Sequence, residues 1–201
     1  MRYGPGHKEK TREKILDAAG KAFRKHGLEG VGVDGVMKAA GLTAGGFYAH
    51  FKNRDALVAE AVSRPLRQSR LLYEKLTQGL GGREWLGQTA RVYLSRAHRD
   101  HPETGCPLAA LQSELGRSGA ETRGAVEAEL ESFLHLFEEK LGKSEKAPAT
   151  DRAIVVLAQL VGALSLARMV KDEKFSDRIL LACRKFLAEE FEAESQTSSA
   201  P

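Results

Sequence analysis

"GLTAGGFYAHF", residues 41–51, crowds three glycines and four rings (Phe47, Tyr48, His50 and Phe51) into eleven positions. A glycine inside a helix costs about 1 kcal/mol relative to alanine, so the pair Gly45-Gly46 demands a reason. Close approach of backbone to a phosphate or base edge is one; a plain turn is the other. Upstream, Val33, Val36, Met37 and Ala40 mark a short helix that breaks at Gly41, and Thr43 is placed to cap a second short helix running to about His50. Two short helices joined at a glycine turn form the helix-turn-helix unit, whose second helix enters the DNA major groove N-terminus first. Such a unit needs small residues where its helices cross and at the reader's leading edge, and Ala39, Ala40, Gly41, Ala44, Gly45 and Gly46 supply them. Helical spacing puts Phe47 and Phe51 on one face for packing and Tyr48 on another, while His50 and Lys52 add donors at the far end, a plausible phosphate-clamping set. On spacing alone, a structural helical hairpin with incidental polar residues stays open.

Working outward, Lys8 to His26 carries Ile15, Leu16, Ala19, Ala22 and Phe23 in the stripe of an amphipathic helix, stopped by Gly27. Asn53 caps a further helix with Leu57, Val58, Ala61 and Val62 on one face, and a break is expected at Arg64-Pro65. Helices are then expected over 66–80, 83–99, 106–115 and 120–141. A polar linker follows at 143–149, and two long helices close the chain at 151 to about 171 and 177 to about 194. The last residues, "SQTSSAP", read as a disordered tail. No strand alternation and no internal repeat is present, so the expected class is all-α.

Of the 201 residues 42% are hydrophobic and 29% charged, a soluble globular balance. The net charge of +4 is uneven: residues 1–55 hold eleven Lys and Arg against six Asp and Glu, leaving the remainder at −1. That asymmetry suits a small polyanion-binding module on a neutral body. The opening "MRYGPGHKEKTREK" lacks a signal peptide's apolar core, and the longest apolar run, Ala153 to Ala167, contains Gln159 and Ser165 and falls short of a bilayer span. A cytoplasmic location without membrane association is therefore expected. Cys106 and Cys183 are too far apart for a metal or redox motif, and no metal or cofactor is expected.

The stretch "AFRKHGLEGVGVDGVMKAAGLTAGGFYAHFKNRDALVAEAV" resembles the DNA-binding domain of the TetR/AcrR transcriptional regulators, whose pattern runs from an F…G helix end through a small-residue turn to G-x-x-Y-x-H-F and then K-[N/S]-[K/R]-[D/E]-x-L. The resemblance spans roughly residues 8–65. It implies an N-terminal three-helix domain at 8–65 (motif about 32–51), a ligand-binding and dimerisation domain at 66–194, and a tail at 195–201. It puts Tyr48, His50 and Lys52 on DNA phosphates, Thr43 at the start of the reader, and Ala44, Gly45 and Gly46 nearest the base edges. Two departures matter. "GVD" stands where many members carry Thr or Ser on helix two, and Ala44 stands where many carry Lys or Arg, removing an obvious guanine reader.

The resemblance also implies a homodimer paired through its last two helices, consistent with the nearly all-round apolar character of 154–167. Double-stranded DNA is the expected partner, bound at a palindromic operator, and a small-molecule or thiol-reactive inducer is expected to release the protein as a repressor. Trp85, Tyr93, Cys106, Phe133, Phe137 and Met169 are candidate ligand-binding residues, although at helical spacing the aromatic ones equally suit a core. Cys106, near an expected helix start with His98, Arg99 and His101 close in sequence, is either a thiol sensor or a small packing residue. No nucleophile elbow, P-loop or GxGxxG is present, so no enzyme is expected. A helical protein-interaction adaptor is the competing class, separable by the salt dependence of duplex binding.

Overall fold

The computed structural model describes residues 6–144 and 147–197, with side chains as far as Glu189. Nine α-helices and one 3-10 helix make up the described residues, and no strand occurs among them. The helices are α1 (His7–His26), α2 (Val33–Ala39), the 3-10 reader (Ala44–Ala49), α3 (Arg54–Leu76), α4 (Gly82–Tyr93), α5 (Arg96–Asp100), α6 (Pro107–Gly116), α7 (Ala120–Leu141), α8 (Ala149–Met169) and α9 (Glu173–Thr197). Their packing separates into two compact units, one formed by residues up to 68 with 102–129, the other by 69–101 with those from 130 onward. The long helices α3 and α7 each contribute to both.

In the first unit, the stripe read from the sequence is the core: Ile15, Ala19 and Phe23 of α1 are at most 1% exposed, as are Val36 and Met37 of α2. Helix α6 and the turn before it are tied to the end of α1 by polar contacts. Arg24 Nε donates to the Glu103 carbonyl at 2.9 Å, and the Leu28 amide donates to Glu114 Oε1 at 2.8 Å. Gly27 has φ 81°, and a Cβ there would lie 2.9 Å from Glu114 Oε1, so glycine both ends α1 and admits the carboxylate.

Two expected boundaries and the winding of one helix are corrected. Residues 54–76 form one helix through Pro65, not two broken at Arg64-Pro65. Proline cannot donate to the Ala61 carbonyl one turn back. A Cβ on Gly20 of α1 would lie 3.2 Å from that oxygen, so α1 packs closely over the site of the missing bond. The expected helix 83–99 is interrupted after Tyr93: Ser95 caps α5, its Oγ accepting from the His98 amide at 3.2 Å. The reader is a 3-10 helix, tighter than the helix expected.

In the second unit α8 packs on α9, burying Val156, Leu160, Ala163, Leu164 and Ala167. At 21 residues α8 exceeds the apolar run on which a sub-membrane length was inferred, and by length and composition alone it could cross a bilayer. Side-chain bonds close the α5–α8–α9 corner. Arg99 Nη1 donates to Ser176 Oγ and Asp177 Oδ1, both at 2.9 Å, and Arg168 Nε donates to the Arg99 carbonyl at 3.2 Å. α9 reaches Thr197, three residues into the segment read as a tail, and 198–201 lie outside the described residues.

Candidate nucleic-acid interface

The turn before the reader is set by Gly41, whose φ of 69° is in the left-handed region. Thr43 follows in an extended conformation (φ −84°, ψ 146°) at the cap position, but its hydroxyl makes no capping bond. The reader closes by short-range bonds, with Gly46 N donating to the Thr43 carbonyl at 3.1 Å and His50 N to Phe47 O at 2.9 Å. Gly45-Gly46 has poor α-helical propensity, and the tighter winding fits that weakness. The anchoring rings behave as their spacing requires: Phe47 and Phe51 are 1% and 3% exposed, with ring centroids 5.7 Å apart. The Arg12 guanidinium covers the Phe51 ring at 4.7 Å and pairs with Glu60.

Those two rings fix what points outward. Tyr48 is 77% exposed, held edge-on to Phe47, and Thr43, Ala44 and Gly45 are also exposed. His50 is half-buried with its Nδ1 atom enclosed and unpartnered. Burial, followed by the nearby charges of Lys8 and Arg12, lowers its pKa, so near pH 7 the imidazole is neutral. Lys52 is exposed, yet its Nζ lies 3.0 Å from Glu121 Oε1 in the first turn of α7. No sequence signal connects positions 52 and 121; folding brings them together. An exposed edge of small residues beside a phenol, an imidazole and an ammonium can accept a phosphate backbone at close range.

Residues 15–61, which include the reader, its anchoring rings and Lys52 but neither Arg12 nor Glu121, match the family model described as bacterial regulatory proteins, tetR family. The chain is a TetR-family DNA-binding regulator. Across its length this TetR-family chain is 24% identical over 169 residues to the HTH-type transcriptional regulator LmrA of Bacillus subtilis (strain 168), covering 81% of the chain and 88% of the relative. In fold it is similar to a TetR-family transcriptional regulator from Cytophaga hutchinsonii (TM-score 0.77, 19% identity, covering 94% and 98% of the two chains). It is also similar to the regulator FadR from Bacillus subtilis in complex with stearoyl-CoA (TM-score 0.69, 19% identity, 88% and 97%).

The candidate ligand residues of this TetR-family regulator do not form one group. Trp85, Phe133 and Phe137 do: Trp85 meets Phe137 edge-on at 4.8 Å, Phe137 meets Phe133 at 6.3 Å, and all are at most 7% exposed in the second unit. Tyr93 ends α4 two turns further on, edge-on to His98 at 4.7 Å. Met169, the last residue of α8, is 74% exposed. Cys106 belongs to the first unit, at the cap position of α6 and 8% exposed. Burial lowers the pKa of Arg24. A cleft of about 280 Å³ in the first unit, lined by Arg54, Asp55, Glu114 and Arg117 among others, contains none of the six.

Proposed function

We propose that the protein is a cytoplasmic homodimeric repressor, with residues 8–65 as its DNA-binding domain and 66–194 as its ligand-binding and dimerisation domain. It holds a palindromic operator through Thr43, Ala44, Gly45, Gly46, Tyr48, His50 and Lys52, and leaves when a small molecule occupies the second domain. The observation that carries the reading is the reader itself, a six-residue helix pinned by two buried rings so that a small-residue edge and Tyr48 face outward. Dimerisation through the last two helices is supported by exposed apolar side chains on α8 (Ile154, Val155, Leu166) and α9 (Phe175, Leu181, Phe186). Two-fold pairing sets the readers about 34–36 Å apart, one DNA turn, and an effector acts by favouring a spacing that misses successive major grooves.

The likeness to a FadR bound to stearoyl-CoA supports a largely apolar effector. A thiol-reactive effector is the second form of this reading, supported by the position of Cys106 at the start of α6. Either way the protein regulates rather than catalyses, as its curated relatives do. The test is selection of bound duplexes from random DNA, followed by titration at two salt concentrations. Enrichment of a palindrome with steep salt dependence is expected. Binding without palindromic enrichment and with a flat salt response would overturn the reading.

A further inference from the structure

Buried hydroxyls in the second unit generally find a carbonyl. Thr77 Oγ1 donates to Tyr73 O at 2.6 Å, Ser165 Oγ to Val161 O at 3.0 Å and Ser176 Oγ to Ala167 O at 2.7 Å. Thr89 on α4 departs from that pattern. It is 1% exposed, and its Oγ1 is enclosed without a hydrogen-bond partner. One helical turn earlier, Trp85 is fully buried and its indole Nε1 is likewise unpartnered. Residues four apart lie on one face of a helix, so the two buried side chains with unmet polar atoms share one face of α4. Leaving such groups unpaired opposes folding, and a buried polar group of this kind calls for a partner supplied from elsewhere.

We propose that Trp85 and Thr89 are the polar anchor of a buried ligand site in the second unit, which takes an uncharged, largely apolar molecule presenting a carbonyl oxygen. The inference rests on the reading of that unit as ligand-binding. An indole N–H only donates, so its partner must be an acceptor. A threonine hydroxyl can donate to the second lone pair of the same oxygen, which makes a ketone, ester or amide carbonyl the fitting group. The edge-on rings of Phe137 and Phe133 supply an apolar wall beside Trp85. A carboxylate is disfavoured there, because burying its charge among aromatic walls requires a paired cation.

Trp85 is the chain's single tryptophan, so the site carries its own reporter. The experiment titrates the full-length protein with three probes of one shape: cyclohexyl methyl ketone, ethylcyclohexane and cyclohexanecarboxylate. Binding is followed by calorimetry and by the indole N–H resonance of 15N-labelled protein. The ketone is expected to bind tightest and to move the indole proton downfield, with the carboxylate weakest. Thr89→Val, which keeps the shape and removes the hydroxyl, is expected to weaken the ketone about fivefold and leave ethylcyclohexane unchanged. Equal binding of ketone and hydrocarbon, or an indole already bonded to a trapped water that the ketone does not displace, overturns the anchor while a ligand-binding unit stands. Binding of none of the three overturns the site. A ketone that binds as expected but leaves affinity for the selected operator unchanged supports the anchor and counts against the regulator's proposed release.

Discussion

Gly45 has no reason inside the protein to be glycine. Its φ is not positive, and a Cβ built on it meets nothing within 4 Å. Alanine there should therefore stabilise the fold, since it removes glycine's extra freedom in the unfolded chain, by about 0.5–1 kcal/mol. For a chain of this size that corresponds to a rise in Tm of roughly 1–4 °C. If the glycine exists so that the reader's backbone can approach DNA, the same methyl group intrudes on a close-packed contact. Overpacking by a carbon costs about 1–3 kcal/mol, which lowers affinity roughly five- to hundredfold for each reader of the dimer. The two effects have opposite signs, and that separates a DNA role from a folding role. Thermal unfolding by circular dichroism gives the first, and fluorescence anisotropy on the selected operator at fixed salt gives the second. A higher Tm with unchanged affinity would show that Gly45 does not approach DNA. A lower Tm would refute the claim that the position is open.

Lys52 and Glu121 form an exposed pair, 66% and 43% exposed, worth about 0–1 kcal/mol, so Glu121→Gln should free the ammonium and tighten operator binding by up to about fivefold per protomer. The gain should vanish in a Lys52→Ala background, and Lys52→Ala alone should lower the salt slope by about 1.8, the value for two phosphates, one per protomer, no longer neutralised; persistence of the gain without Lys52 would mean that Glu121 repels DNA from a distance. Val155→Glu or Phe186→Glu should yield monomers in sedimentation and weaken operator binding steeply, whereas an unchanged dimer would place the interface elsewhere. Burial lowers the pKa of His98, against the opposing effect of its bond to the Tyr93 carbonyl. The unfolded chain then binds the extra proton first, so stability is full above the ordinary value of 6.5 and falls as pH drops below it. His98→Asn should reduce the fall in Tm between pH 7 and 5, and an unaltered fall would assign it to other groups. Gly30→Ala places a Cβ 2.0 Å from the His26 carbonyl and should lower Tm, by roughly 1–3 kcal/mol of overpacking; wild-type stability would mean that this turn relaxes freely.

What was legible in the sequence was whatever local chemistry decides. The α1 stripe, the left-handed turn at Gly41 and the opposite faces of Phe47 and Tyr48 all follow from spacing and glycine freedom. The winding of the reader was not legible, because Gly45-Gly46 weakens an α-helix without naming its replacement. Pro65 was read as a break because the rule is local; here α1 packs against the same stretch, bringing Gly20 close to the carbonyl that proline leaves unbonded. Ser95 lies inside an apolar stripe that argues for continuity, and its capping bond emerges only from the fold. The interactions that most affect the site were beyond any local rule. Lys52 finds Glu121 sixty-nine positions away, and the unmet state of Thr89 emerges only when its neighbours in space are known.

The reader's composition also constrains how it discriminates bases. Ala44, Gly45 and Gly46 carry no side-chain donor, so the bidentate contacts that distinguish guanine from adenine cannot come from them. Thr43 is exposed and its hydroxyl is not spent on capping, leaving it and the Ala44 methyl as side-chain probes at the leading edge. A hydroxyl can serve several bases, and a methyl favours thymine. Under the proposed reading, the remaining selectivity comes from how readily the duplex adapts to a backbone at close range, held by contacts to phosphate. Mutating Tyr48 or Lys52 should then weaken all sequences alike, whereas bulk added at Gly45 should alter which sequences are tolerated. Affinity and specificity would reside in different residues of the same eleven-residue stretch.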